Sequence, residues 1–421
     1  MNHCFTPRTV ALFATQFVAL AALPALAQTA TKPASLSVST FADAVKKRGD
    51  KTEFATRVRD WFGADNLKKG AYPKQDDLRV VAAIELPTAP AKNVVPAFVS
   101  DDGAVRLPLN RIGDTNVYAA TTTLPEGAFL RFHYEVGAER FGGGDLEAHT
   151  YPAEFDTNPD IPHGVLTEMP VWKSAVFPDT ERRLWVYVPA QVKASPDAPA
   201  AVIFMNDGEW SRWYLPNLLD NMIYAGDIPP TVAVLINPGR FASQKPTDGA
   251  GNRSREYDSL SPKYAEFLVP EIIPEVEKTV KLRRDPAGRI TMGGSSGGIC
   301  AFTAAWEKPD QFGKVVSWIG SFVNLQGGEN GISGGHNYPT LVRKSKDKPK
   351  PIRVFLQDGA NDIDNQFGNW PLANQEMVAA LKFSGYDYKF VYGNGNHSDR
   401  HFRAVLPDAL RWIWQGEPKQ K

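Results

Sequence analysis

The chain has 421 residues, with 47 basic against 47 acidic side chains, so its formal net charge is zero. That balance leaves no electrostatic footprint for nucleic acid or an anionic membrane. With 43% hydrophobic and 22% charged residues the composition is that of a globular protein and excludes wholesale disorder; the length suggests two domains.

Residues 1–27 carry Arg8, an apolar run and the small-residue site Ala25-Leu-Ala27. This reads as a secretory signal peptide cut after Ala27. Its removal would leave 46 basic against 47 acidic residues and Cys300 as the lone cysteine. A single thiol allows no internal disulfide. No later apolar run approaches a membrane span, so a periplasmic or secreted protein, off the membrane after cleavage, is expected.

Residues 28–165 form the first expected domain. Phe41, Val45, Phe54, Val58 and Phe62 recur at helical spacing over 36–70. Strands follow at Leu78–Leu86, Val94–Phe98, Val117–Thr123 and Phe129–Val136, separated by turn signals such as Asp101-Asp-Gly103. Short strands at this spacing suggest an immunoglobulin-like β-sandwich. The breaker-rich stretch Asp156–Gly164 marks the boundary.

Over 166–421 the rhythm changes. Apolar runs at Leu184–Val188, Ala201–Met205, Val232–Ile236, Arg289–Met292, Val315–Ile319, Ile352–Leu356 and Tyr388–Tyr392 alternate with helical patterns. That alternation predicts a mostly parallel sheet flanked by helices.

Met292-Gly-Gly-Ser-Ser-Gly-Gly-Ile299 joins one such strand to a helix and fits the nucleophile elbow Gly-x-Ser-x-Gly. Ser295 and Ser296 both satisfy it. Ser295 is favoured because it places Gly298, not Ile299, where helix and sheet must approach. Walker and dinucleotide patterns are absent, and no cofactor is expected. A serine needs a base and an orienting acid, which follow it in this fold class. Asp358, Asp362 and Asp364 lie at the end of the Ile352–Leu356 strand, with Asp362 favoured. His397 follows the last strand on a glycine–asparagine loop, with His401 as competitor. The oxyanion donors are expected to be the N–H of Ser296 and the N–H of Glu209. Trp210, Trp213, Arg253 and Trp370 are candidates for substrate contact, although Arg253 serves equally well in a structural ion pair. His149, His163, His336 and His401 show no ligand spacing, so no metal is expected. The glycine-rich 327–335 insertion could border the pocket.

Over roughly residues 165–415 the chain resembles the esterase-D-like α/β hydrolases, which include enterochelin, feruloyl and acetylated-xylan esterases. The resemblance rests on Asn206-Asp-Gly-Glu-Trp210, Arg253-x-x-Glu256-Tyr257, Gly293–Gly298, Trp306–Gly313, Gly359-Ala-Asn-Asp362 and Gly395-Asn-His397. It implies an α/β-hydrolase domain behind an immunoglobulin-like early-set domain. The function expected is an exported serine esterase acting through Ser295, Asp362 and His397. Feruloyl or acetyl esters of plant polysaccharide lead as substrate, and a catecholate siderophore ester is the alternative. From another class, the alternative is a noncatalytic glycan-binding protein that keeps the fold.

Overall fold

The computed structural model describes residues 35–46, 50–241, 243, 252–327 and 334–417. The signal peptide expected at 1–27 and most of the 327–335 insertion lie outside the described residues. The helical stretch over 36–70 divides into Val38–Lys46, Lys51–Phe62 and Ala64–Lys68. Asp50 starts the second helix by accepting the amides of Thr52 and Glu53, and Gly63 ends it at φ +86°. Phe41, Phe54, Val58 and Phe62 are buried, whereas Val45 is exposed.

These helices cover one face of a four-stranded antiparallel sheet. Its order is Lys74–Asp76, Arg79–Glu85, Val117–Thr123 and Asn110–Arg111. A second sheet runs Arg106–Pro108, Ala97–Ser100, Ala128–Val136 and Glu139–Ala148. Alternation along Arg79–Glu85 explains its unbroken apolar run. Val81 and Ala83 face the helices, while Val80, Ala82 and Ile84 face the second sheet. The strand expected at Val94–Phe98 begins instead at Ala97, because Pro96 cannot donate to the ladder.

The remaining chain builds an eight-stranded sheet. From one edge its order is Asp387–Gly393, Arg353–Gly359, Lys314–Trp318, Arg289–Gly294, Ala201–Asn206, Thr231–Ile236, Leu184–Val188 and Val165–Glu168. The first six are mutually parallel, and Leu184–Val188 runs antiparallel to both of its neighbours. Helices Leu215–Tyr224 and Arg400–Ile413 cover one face. Ser296–Glu307, Tyr338–Lys344 and Trp370–Phe383 cover the other. Central strands are therefore apolar on both sides: Val202 and Phe204 enter one core, Ile203 and Met205 the other. Ser295, Asp362 and His397 all lie just past the C-terminal ends of parallel strands, the edge at which ligands bind in such sheets. Among the described residues no helix is long and apolar enough to cross a membrane.

Candidate active site

Ser295 stands between the strand Arg289–Gly294 and the helix Ser296–Glu307 at φ +57°, ψ −126°. A side chain there is strained and persists only if the surroundings hold it. They do. The Ser295 amide donates to the Trp318 carbonyl (3.0 Å), and the amides of Gly298 and Ile299 return to the Ser295 carbonyl (2.9 and 3.2 Å). A Cβ at Gly293 would fall 2.4 Å from the Gly297 carbonyl oxygen, so the turn closes only on glycine.

His397 Nε2 lies 2.8 Å from Ser295 Oγ, and His397 Nδ1 lies 2.5 Å from Asp362 Oδ1. A carboxylate can only accept, so the proton resides on Nδ1 and leaves Nε2 to receive the serine hydroxyl. Asp362 Oδ1 also accepts the Ile363 amide at 2.6 Å. The structure thus brings the three favoured residues into one hydrogen-bonded line. Their competitors stand elsewhere. Ser296 is buried, whereas Ser295 opens onto a pocket. Asp364 is exposed in the short hairpin Asp364–Asn365/Gly368–Asn369. His401 Nδ1 accepts from the Gln357 amide at 2.9 Å, and its ring stacks on His149.

Asp358 is fully buried beside Asp362. Burial, followed by the neighbouring Asp362 carboxylate, pushes its pKa well above the carboxyl range. Oδ2 of Asp358 and Oδ2 of Asp362 are both buried with no protein donor. One proton carried by Asp358 gives this pair its missing hydrogen bond. Asp258 is pushed up to about 6 by burial, against hydrogen bonds from Ser254 and Ser296 and the charge of Arg253.

Ser295 and His397 open onto a pocket of about 900 Å³, a volume within the range of small-molecule sites. Trp210 lines its mouth with 79% of its surface exposed. Trp213 stands outside it, its ring beneath the Arg212 guanidinium at 4.4 Å. Arg253 lines the pocket and grips Asp207 through two hydrogen bonds of 2.9 and 2.8 Å, so it makes the structural ion pair while facing the cavity. Arg183 and Arg240 also line it, the first paired with Glu168 and Glu209 and the second with Glu181. Deeper still, Arg182 and Glu256 form a fully buried fork at 2.8 and 2.9 Å.

Two expectations need correction. Trp370 is buried and does not line the pocket. It packs edge-on against the His397 ring at 5.9 Å and donates to Ser321 Oγ at 3.2 Å. Ser321 Oγ is in turn 3.3 Å from Ser295 Oγ, so Trp370 braces the line from behind. The Glu209 amide is also not free, because it donates to Asn237 Oδ1 at 3.0 Å, while Asn237 Nδ2 donates to the Glu209 carboxylate at 3.1 Å. The Ser296 amide opens its helix and has no intrahelical acceptor. Cys300 is buried on that same helix, and burial pushes its thiol far up.

The family model named Esterase matches residues 174–413, more than half of the chain. The chain belongs to this family. The iron(III) enterobactin esterase of Dickeya dadantii is 28% identical to this family member over 264 residues, which are 59% of this chain and 55% of that protein. The Escherichia coli protein of the same name is 29% identical over 257 residues, or 58% and 56%. This chain thus spans little more than half the length of these relatives. Among solved structures, the Shigella flexneri enterobactin esterase crystallised with 2,3-dihydroxy-N-benzoyl-serine superposes with a TM-score of 0.56 at 19% identity. That match covers 85% of this chain and 98% of the other. It shows that the fold is that of the esterase α/β hydrolases, with a large mixed sheet.

No motif in the sequence marks Asn237, Ser321 or the arginines at 183 and 240. Each acts through a neighbour distant in the chain. Only the run of polar residues just past strand ends hinted at Asn237.

Proposed function

We propose that this chain is an exported serine esterase that hydrolyses carboxylic esters through Ser295, His397 and Asp362. The observation that carries the reading is the 2.8 Å and 2.5 Å hydrogen-bonded line at the floor of an open pocket. In this reading His397 Nε2 takes the proton of Ser295 Oγ as that oxygen attacks the ester carbonyl. Asp362 stabilises the imidazolium formed. The Ser296 amide holds the tetrahedral oxyanion. The intermediate then collapses, breaking the bond to the alcohol, which leaves with the proton from His397. Water, activated by the same histidine, releases the acid from the acyl-enzyme.

A catecholate siderophore ester leads as substrate. It is supported by the names of the relatives. A feruloyl or acetyl ester of plant polysaccharide is the second reading. It is favoured by the exposed indole of Trp210, a face on which a cinnamoyl ring or a sugar stacks. Residues 28–165 are read as a separate immunoglobulin-like domain, on the support of two packed antiparallel sheets, and residues 166–421 as the catalytic domain. Export rests on the signal-like sequence at 1–27.

Labelling with a fluorophosphonate tests the enzyme. The folded chain is expected to take one adduct, lost in Ser295→Ala and kept in Asp364→Asn. No adduct on the folded chain would favour a noncatalytic glycan-binding protein. Hydrolysis of enterobactin, methyl ferulate and acetylated xylan side by side decides the substrate.

A further inference from the structure

His397 stands on Gly393-Asn-Gly-Asn-His-Ser398, a loop with two glycines and no regular structure past Gly393. Such a segment samples many conformations unless outside groups fix its backbone. From the sheet side it is fixed by the Asp362 loop. The amides of Ala360 and Asn361 donate to the carbonyls of Gly393 (2.8 Å) and Gly395 (3.1 Å), and Asn361 Nδ2 donates to the Asn394 carbonyl (2.8 Å). Those contacts end two residues short of His397.

The opposite side is held from the N-terminal sandwich. Glu147, on the strand Glu139–Ala148, accepts the Asn396 amide at 3.2 Å and the Ser398 hydroxyl at 2.9 Å, both through Oε2. One carboxylate oxygen thus bridges the two residues that flank His397. Oε1 lies 2.7 Å from His149 Nε2, and His149 Nδ1 lies 3.0 Å from Glu126 Oε1. The same strand adds a second tie, because Arg400 Nη1 reaches the Glu147 carbonyl at 3.3 Å and Gln75 Oε1 at 2.6 Å. Gly395 leaves the room required, since a Cβ there would come 2.8 Å from Glu147 Oε1.

Glu147 is 3% exposed. A buried carboxylate is costly, and an apolar residue would pack the junction at least as stably. Its presence calls for a use in which charge and geometry matter more than burial. Three donors converge on it, and charge-assisted bonds of this kind are the directional ones. Burial disfavours charge on His149, but the Glu147 and Glu126 carboxylates outweigh it and raise its pKa.

We infer that Glu147 is a positioning residue that clamps the His397 loop, which makes the N-terminal sandwich a working part of the active site. The inference rests on the triad reading above. The clamp acts on the reacting geometry and meets the pocket lining only at Ser398, whose hydroxyl it holds, so its loss lowers kcat far more than it raises KM.

The test is steady-state hydrolysis of p-nitrophenyl acetate by the full chain, with thermal unfolding of each variant alongside. Misplacement of a catalytic group by about 1 Å costs up to about 100-fold. On that scale Glu147→Ala is expected to lose about 30-fold in kcat, with KM within about twofold. Glu147→Gln keeps a carbonyl oxygen for Asn396 and Ser398 and is expected to recover to within about fivefold of wild type. Ser398→Ala removes one arm and is expected to lose about fivefold, with unfolding unchanged. A Glu147→Ala protein that is folded and turns over at the wild-type kcat overturns the inference. If that variant does not fold, an unchanged kcat in Ser398→Ala overturns it instead. Ser295→Ala in the same series keeps the two readings apart, because turnover there would overturn the triad itself.

Discussion

Asp358→Asn measures the proton placed between Asp358 and Asp362. The two side chains share a buried site, and the structure offers no donor to either Oδ2. Burial and the Asp362 carboxylate raise the pKa of Asp358 when the chain folds. The folded state therefore binds one proton more than the unfolded chain across the neutral range. The associated stabilisation is complete below the ordinary carboxyl pKa near 4 and is lost as pH rises toward the raised folded value. One extra proton corresponds to a fall of about 1.4 kcal/mol per pH unit. Between pH 5 and 7 the wild type should thus lose about 2.7 kcal/mol relative to Asp358→Asn, whose amide never titrates. Urea unfolding of both proteins at pH 5, 6 and 7 and constant ionic strength gives the difference directly, with all other titrations cancelling. Curves that run parallel over this range would refute the shared proton. The asparagine also keeps an N–H donor for Asp362 Oδ2, so its activity should stay close to wild type at pH 7. Asp358→Leu removes the donor and should reduce kcat by roughly tenfold or more, as expected for a lost hydrogen bond to a charged group.

Arg182→Met leaves Glu256 charged in a fully buried site with only the Gly239 amide and Asn252 Nδ2 as partners. A loss of about 3–5 kcal/mol is expected in chemical denaturation. Trp210→Ala removes an exposed ring from the pocket mouth. Its unfolding midpoint should not move, while KM for an aromatic ester should rise roughly two- to tenfold, the worth of one stacked pair. Cys300 should ignore a thiol-specific disulfide reagent in the folded protein and react once the chain unfolds, because burial keeps it protonated and out of reach.

The parts of the site that were legible in the sequence share one property. Ser295, Asp362 and His397 each follow an apolar strand directly and carry their own local signal of glycines or chain order. The apolar runs that became the parallel sheet were legible for the same reason, since a strand buried on both faces needs no partner to declare itself. What escaped depends on contacts across the chain. Glu139–Ala148, interrupted by Gly142-Gly-Gly144, is not among the strands expected from the sequence. It is a strand because it pairs with Ala128–Val136 through an irregularity at Phe132/Tyr134. Missing it meant missing Glu147. The Glu209 amide was placed correctly after its strand, but its acceptor lies 28 residues away on Asn237. Trp370 was a reasonable rim aromatic until the helix it begins turned it inward.

The floor and the rim of the pocket differ in what they will accept by substitution. Beneath the site, the loops bearing Asp362 and His397 meet backbone to backbone. A Cβ at Gly359 would sit 2.2 Å from the Gly395 carbonyl oxygen, and one at Gly395 would meet Glu147. Neither contact can relax by turning a flexible side chain, since the first obstacle is main chain and the second is a carboxylate held by three donors. Around the mouth, Trp210 is largely solvent-facing, and its replacement disturbs little else. A library aimed at new ester preferences therefore belongs at the rim, and screens that include positions 359 and 395 should return glycine at both.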